Sequence, residues 1–227
     1  MKSAVVRLGA VACLLGFAAT VNAQTAGVSY TYVDAQYNFA DIDVDVGSAG
    51  DIDGDGPKLF GSVALNRYFH ALAGFERLSP DALELDDGLG NITRISLDDL
   101  DTWEIGVGVN TPTMGRAARQ YRGGFVDRYS LFADIRAQGQ DSSGSDRTGW
   151  AMNAGFRAVN FTRVETILGF GYDKFESQSG DFTLQGQILF QIIGGLQARG
   201  GINYSDSISR WNLGLRYNFG DWQLFGR

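Results

Sequence analysis

Three aspartates in alternation, Asp51-x-Asp53-x-Asp55-Gly56, form the densest candidate for chemistry in this chain of 227 residues. Hard divalent cations prefer clustered carboxylate oxygens, and the spacing matches the first half of a Ca²⁺-binding EF-hand loop. The match then fails: Pro57 follows, Ser62 stands where a bidentate Glu is required, and the next residues alternate like a strand. Upstream, Asp41, Asp43 and Asp45 alternate with Ile42, Val44 and Val46, so a hairpin here would line several aspartates along one face. Like charges paired across strands repel, and a cation would relieve that repulsion. The expected state is a solvated acidic loop, with Asp51, Asp53 and Asp55 as the candidate Ca²⁺ ligands.

Catalysis is not expected. The sole histidine, His70, falls beside a tight turn, and no His–Ser–acid constellation can be drawn around it. Cys13 is the only cysteine and sits in the N-terminal apolar run, so thiolate metal sites and disulfides are not expected either. A second acidic segment carries Asp81, Glu84, Asp86, Asp87, Asp98, Asp99 and Asp101 against Arg77 and Arg94. A face of that kind attracts cations and repels anionic partners such as nucleic acid.

The elements that must position these residues follow from a period of two. Ten segments of about ten residues alternate apolar with polar or glycine, separated by turn residues, as a membrane barrel with lipid outside and a polar lumen requires. The first runs from about Val28 to Ala40, with Val33, Ala35, Tyr37 and Phe39 on one face and Asp34, Gln36 and Asn38 on the other. The clearest sets Trp103, Ile105, Val107 and Val109 against Glu104, Gly106, Gly108 and Asn110. The last sets Trp211, Leu213, Leu215, Tyr217 and Phe219 against Arg210, Asn212, Arg216 and Asn218. The fold class predicted is all-β: a transmembrane antiparallel β-barrel of ten strands, or eight if the third or fifth segment is miscounted. The charged residues on the polar faces are Glu76, Glu104, Asp134, Arg136, Arg157, Glu165, Arg199, Arg210 and Arg216. They could line a pore, but unpaired buried charge is costly, so pairing across a mostly filled lumen is expected.

Link lengths orient the barrel. The segments 41–57, 77–101, 138–148, 174–181 and 205–209 are the longer, polar links, whereas links near Asn66-Arg67, Asn160 and Ile193-Gly194 are short. Short periplasmic turns and longer external loops are the outer-membrane asymmetry; 111–127, with Arg116, Arg119 and Arg122, is the exception. Trp103, Trp150, Trp211 and Phe182 at one end, and Tyr129, Tyr217 and Phe219 at the other, make two aromatic girdles.

Lys2 and Arg7, the apolar run Leu8–Thr20 and Val21-Asn22-Ala23 have the form of a cleavable secretory leader over 1–23, with the barrel over 24–219 and a short periplasmic tail over 220–227. Losing Lys2 and Arg7 takes the net charge from −7 to −9. Asn212-Leu213-Gly214-Leu215-Arg216-Tyr217-Asn218-Phe219 looks like the terminal signal strand of outer-membrane barrels. With Val28-Ser29-Tyr30-Thr31-Tyr32-Val33 and Gly61-Ser62-Val63-Ala64, it resembles small porin-like barrels of the OmpA/OmpX type. The resemblance implies a bacterial outer-membrane location, contact with lipid and lipopolysaccharide, and recognition of Asn212–Phe219 by the barrel assembly machinery. Function is then expected to be non-enzymatic, a surface role through acidic loops with a plugged or narrow, cation-leaning lumen; a passive small-solute channel is the alternative, and a rim enzyme a more distant one.

Overall fold

The structure is a computed structural model that describes residues 28–42, 52–86, 92–115, 128–142, 145–160, 163–176, 179–205, 208–220 and 222–224. The leader and its cleavage point, Asp43, Asp45 and Asp51, and the arginines of the 111–127 link lie outside the described residues. The elements are β1 (Tyr32–Ile42), β2 (Ile52–Ala64), β3 (Phe69–Pro80), β4 (Leu83–Asp86), β5 (Ile92–Ile95), β6 (Leu100–Asn110), β7 (Met114–Gly115), β8 (Arg128–Ser142), β9 (Ser145–Asn160), β10 (Val164–Phe175), β11 (Asp181–Ile193), β12 (Leu196–Ser205) and β13 (Ile208–Asn218). Ten of these close on themselves in the order β6-β3-β2-β1-β13-β12-β11-β10-β9-β8, with β8 paired back to β6. Every pairing in the ring is antiparallel. The strand number is therefore ten, and closure leaves no barrel edge with unpaired backbone groups, which lipid would not tolerate.

Burial is inverted relative to a water-soluble protein. Asp34, Asn212 and Arg216 are no more than 2% exposed, while Phe182 and Leu213 are 71% and 63% exposed. From Trp103 to Val109, Tyr129 to Ala137, Phe182 to Phe190 and Trp211 to Tyr217 the outward residues are uncharged, and most are Leu, Ile, Val or aromatic. The girdles form as expected. At one end the rings of Trp150, Tyr172 and Phe182 follow one another at 5.6 and 5.1 Å; at the other Tyr217 and Phe219 meet at 5.0 Å.

The longer links differ from expectation. Among the described residues, 41–42, 52–57, 77–80, 138–142 and 145–148 are paired strand: Ile42 lies opposite Ile52, β3 continues to Pro80, and Ser142 faces Ser145. Alternating Ile and Asp pair readily above the membrane, because water can solvate the carboxylates while inward Ala40, Ile52 and Leu78 stay buried. The segment beyond β3 forms its own small hairpin, β4–β5. The first strand also begins later than expected. Residues 28–31 precede β1 and enter the barrel mouth at the end of the short turns, where Val28, Tyr30 and Ala64 pack with Phe132 and Val159.

The seam between the first and last strands depends on Gly214. A Cβ there would stand 2.3 Å from the carbonyl oxygen of Ala35 and 2.8 Å from the Cα of Gln36, both backbone atoms of β1. Overpacking of this kind typically costs about 1–3 kcal/mol or more. Gly214→Val is expected to lower the yield of heat-modifiable, compact protein when the chain is folded into detergent, as gel mobility of unheated against heated samples will show.

Candidate functional site

The inward faces build two networks of charge. The first centres on Asp34 of β1. Arg216 grips it bidentately, Nε to Oδ1 at 2.8 Å and Nη2 to Oδ2 at 2.8 Å, and Arg199 donates to Oδ2 at 2.5 Å. Arg216 stands directly opposite Asp34 across the β1–β13 seam. Its guanidinium also lies 3.9 Å from the centroid of the Tyr32 ring. Beside this cluster Arg157 pairs with Glu165, donates from Nη1 to the Ser29 carbonyl at 2.8 Å, and packs over Tyr30 and Tyr32. Gln197 and Asn218 continue the chain, Asn218 donating to Gln197 Oε1 at 2.6 Å.

The second network lies on β2, β3, β6 and β8. Glu104 binds Lys58 at 2.8 Å and Arg136 at 2.7 Å; Arg136 also reaches Asp134 at 2.7 Å. Lys58 approaches Glu76 at 3.7 Å, and Asn38 donates to Glu76 at 2.7 Å. Glycine makes room for these long side chains: a Cβ on Gly106 would strike Arg136, and one on Gly74 would meet Glu104 at 2.8 Å. A cavity of about 120 Å³ remains between the networks.

The floor at the end of the short turns is built from residues 28–31 and 220–224. Tyr30 donates to or accepts from Ser130 at 2.9 Å and stacks on His70 at 4.9 Å. Ser29 donates to the Gly220 carbonyl, and Thr31 Oγ1 to the Trp222 carbonyl, both at 2.6 Å. Leu224 N–H reaches the Ala64 carbonyl at 2.8 Å, so the residues after β13 turn back at Gly220 (φ 75°) and dock under β2.

His70 sits where expected, near the β2–β3 turn, 3% exposed and with Nδ1 3.2 Å from Asn110 Oδ1. Its Nε2 rests over Gly108. All nine charged residues expected in the lumen face inward. Asp34 and Lys58, which hold the two networks together, were missing from that set, although the alternation of the first segment already put Asp34 with Gln36 and Asn38. Of the Ca²⁺ candidates, Asp53 and Asp55 are exposed on the outer face of β2, Asp53 opposite Asp41 and Asp55 accepting from Tyr37 at 2.8 Å. Among the described residues no three His, Cys, Asp or Glu side chains are grouped to hold a metal ion.

No protein-family profile matches the chain, and no curated protein matches it in sequence. Solved structures of similar shape include the beta domain of the Bordetella autotransporter Brka (10% identity, TM-score 0.47, 82% of this chain and 98% of that one). An outer membrane channel from Pseudomonas putida F1 gives 10%, 0.45, 88% and 98%, and the KdgM porin in complex with disordered oligogalacturonate gives 9%, 0.43, 82% and 98%. The chain's own architecture defines its class: a closed, membrane-spanning β-barrel with an apolar belt and a charged interior. It is an outer-membrane β-barrel of the bacterial kind.

Removing one member of a buried ion pair strands the other, at a cost of about 3–5 kcal/mol, whereas an exposed pair is worth about 0–1 kcal/mol. Asp34→Ala is expected to lower the unfolding midpoint of the detergent-folded barrel sharply. Arg77→Ala, which breaks the exposed pair with Asp101 at 2.6 Å, is expected to leave it almost unchanged. Urea titration followed by tryptophan fluorescence will separate the two.

Proposed function

We propose that this chain is a non-enzymatic outer-membrane barrel with a plugged lumen that works at the cell surface, through the collar of paired strands above its apolar belt. The observation that carries it is the filled interior. Two ion-pair networks and the inserted residues 28–31 occupy much of the lumen and leave a cavity of about 120 Å³ among charged side chains. Conduction would need a continuous water path. Filling by the barrel's own side chains is also what the finer likeness to OmpA/OmpX-type barrels implies, here with ten strands.

The collar presents its acids outward, Asp41 and Asp53 on β1–β2 and Asp99 before β6. Such a surface would gather divalent cations, with Asp53, Asp55 and the undescribed Asp51 as candidate ligands, and could bridge through them to lipopolysaccharide phosphates. The Asn212–Phe219 strand, which closes the barrel against β1, is the segment the assembly machinery would engage. A second reading, a passive small-solute channel, is favoured by one feature: part of the plug is made of residues 28–31 rather than barrel wall, and could be displaced.

In planar bilayers the folded protein is expected to show no steady unitary conductance. Stable steps from the unaltered barrel would overturn the plugged reading and support the channel; steps appearing only after deletion of residues 24–31 would support a displaceable plug. For the collar, a Ca²⁺-dependent rise in melting temperature that Asp53→Asn with Asp55→Asn abolishes is the expected outcome. Indifference to Ca²⁺ would leave the aspartates as a solvated, repulsive surface.

A further inference from the structure

We infer that the outer wall carries a binding groove for one membrane phospholipid, with an acyl chain lying across β2 and β3 and the phosphate at Arg67. The barrel meets lipid through its apolar belt, and the groove is a depression in that belt. Val33, Gly61, Ala73, Ile105, Ala137 and Trp150 stand opposite one another in a continuous row across β1, β2, β3, β6, β8 and β9. All of them line an open groove of about 960 Å³, bounded at its other end by Phe219 and Trp222. The floor is low because Gly61 and Ala73 are small. The adjacent outward row, Leu59, Phe75 and Trp103, is bulky and forms a ridge along it.

Packing within the wall does not account for the missing side chain at Gly61. A Cβ on Gly106 or Gly139 would come within 2.4 Å of another atom, so those positions must stay glycine. At Gly61 the nearest atoms are the Tyr32 carbonyl oxygen at 3.6 Å and Val33 Cγ2 at 3.9 Å, which is ordinary contact. A larger residue would fit the wall there and fill the groove.

The second ground is charge at the groove's end. Val63 and Ala71 also line it, and the turn that joins β2 to β3 follows directly beyond them. Arg67 on that turn is exposed, lies 4.8 Å from the centroid of the Tyr68 ring, and makes no ion pair among the described residues. Among the described residues the short-turn end exposes Arg67 and Arg163 and no carboxylate. A phosphate would take charge-assisted hydrogen bonds from the Arg67 guanidinium. Trp222, 39% exposed and held beside the end of β2, stands at the same end, where interfacial rings favour the headgroup level. Apolar contact alone gives a lipid no preference for one stretch of wall, because its neighbours are equally apolar. Close packing in a depression and a fixed phosphate supply that preference. A second copy of the chain fits worse: in a two-fold dimer the groove would meet itself, concave on concave.

Native mass spectrometry tests the site on the folded barrel, released from detergent to which phosphatidylglycerol has been added. The unaltered protein is expected to retain one lipid. Gly61→Leu is expected to lose it and Arg67→Gln to hold it less, with heat-modifiable gel mobility showing that both variants fold. Unchanged retention in either variant, or a broad spread of lipid numbers on the unaltered protein, would overturn the site. Paired barrels that Gly61→Leu separates would overturn it in favour of a second copy. If Gly61→Leu does not fold, phosphatidylglycerol with a photoactivatable acyl chain decides on the unaltered barrel. Cross-links concentrated on residues 59–64 and 69–75 support the groove, and cross-links spread around the ring overturn it.

Discussion

The carboxylate of Asp34 holds the barrel's interior in register. It belongs to the first strand, its bidentate partner Arg216 to the last, and its third ligand Arg199 to the strand before that. One buried anion thus ties both sides of the closing seam, at the place where a barrel could most easily open. The arrangement has consequences around it. Two guanidinium groups at such low exposure need flat partners, and Tyr32 supplies one. Arg157, close by, needs an acceptor and takes the carbonyl of Ser29, which draws the residues before β1 into the mouth. Tyr30 then fills the space against His70 and Ser130. Plug and seam are one cooperative unit, so weakening the Asp34 cluster should loosen the floor as well.

Much of this was legible in the chain. Alternation alone separated Trp103, Ile105 and Val107 from Glu104, Gly106 and Gly108, because a strand has a period of two and lipid accepts only one of the two faces. Ring placement followed for the same reason. The outer limits of the strands were not legible. Asp41-Ile42 and Ile52-Asp53 alternate as well as any membrane strand does, but their outward residues are charged, so they read as loop; above the membrane the same alternation still supports pairing. The start of the first strand was hidden by a similar ambiguity. Val28 and Tyr30 alternate with Ser29 and Thr31, and only the closed structure shows that they leave the wall for the lumen.

Pairing inside the lumen was predictable in kind and unreadable in detail. That Arg157 meets Glu165 could be guessed from neighbouring strands. That Asp34 meets Arg199 depends on closure, since the two are 165 residues apart in sequence. The tail shows the same limit: Gly220 marked the end of the alternation, but the docking of Leu224 on Ala64 uses a backbone carbonyl at the end of β2 that only the folded barrel places there.

The overall charge of −7 describes the outside of this protein and misleads about its inside. Aspartates accumulate on the collar, where water and counterions screen them at little cost. Within the lumen the carboxylates are interleaved with cations: Asp34 is held by Arg199 and Arg216, Glu165 by Arg157, and Glu104 by Lys58 and Arg136. An acidic rim over a core of paired charge would draw cations to the surface and give them little net attraction inward. Surface attraction and lumen selectivity are therefore separable properties of this barrel, set by different residues, and a sequence-wide charge cannot stand for either.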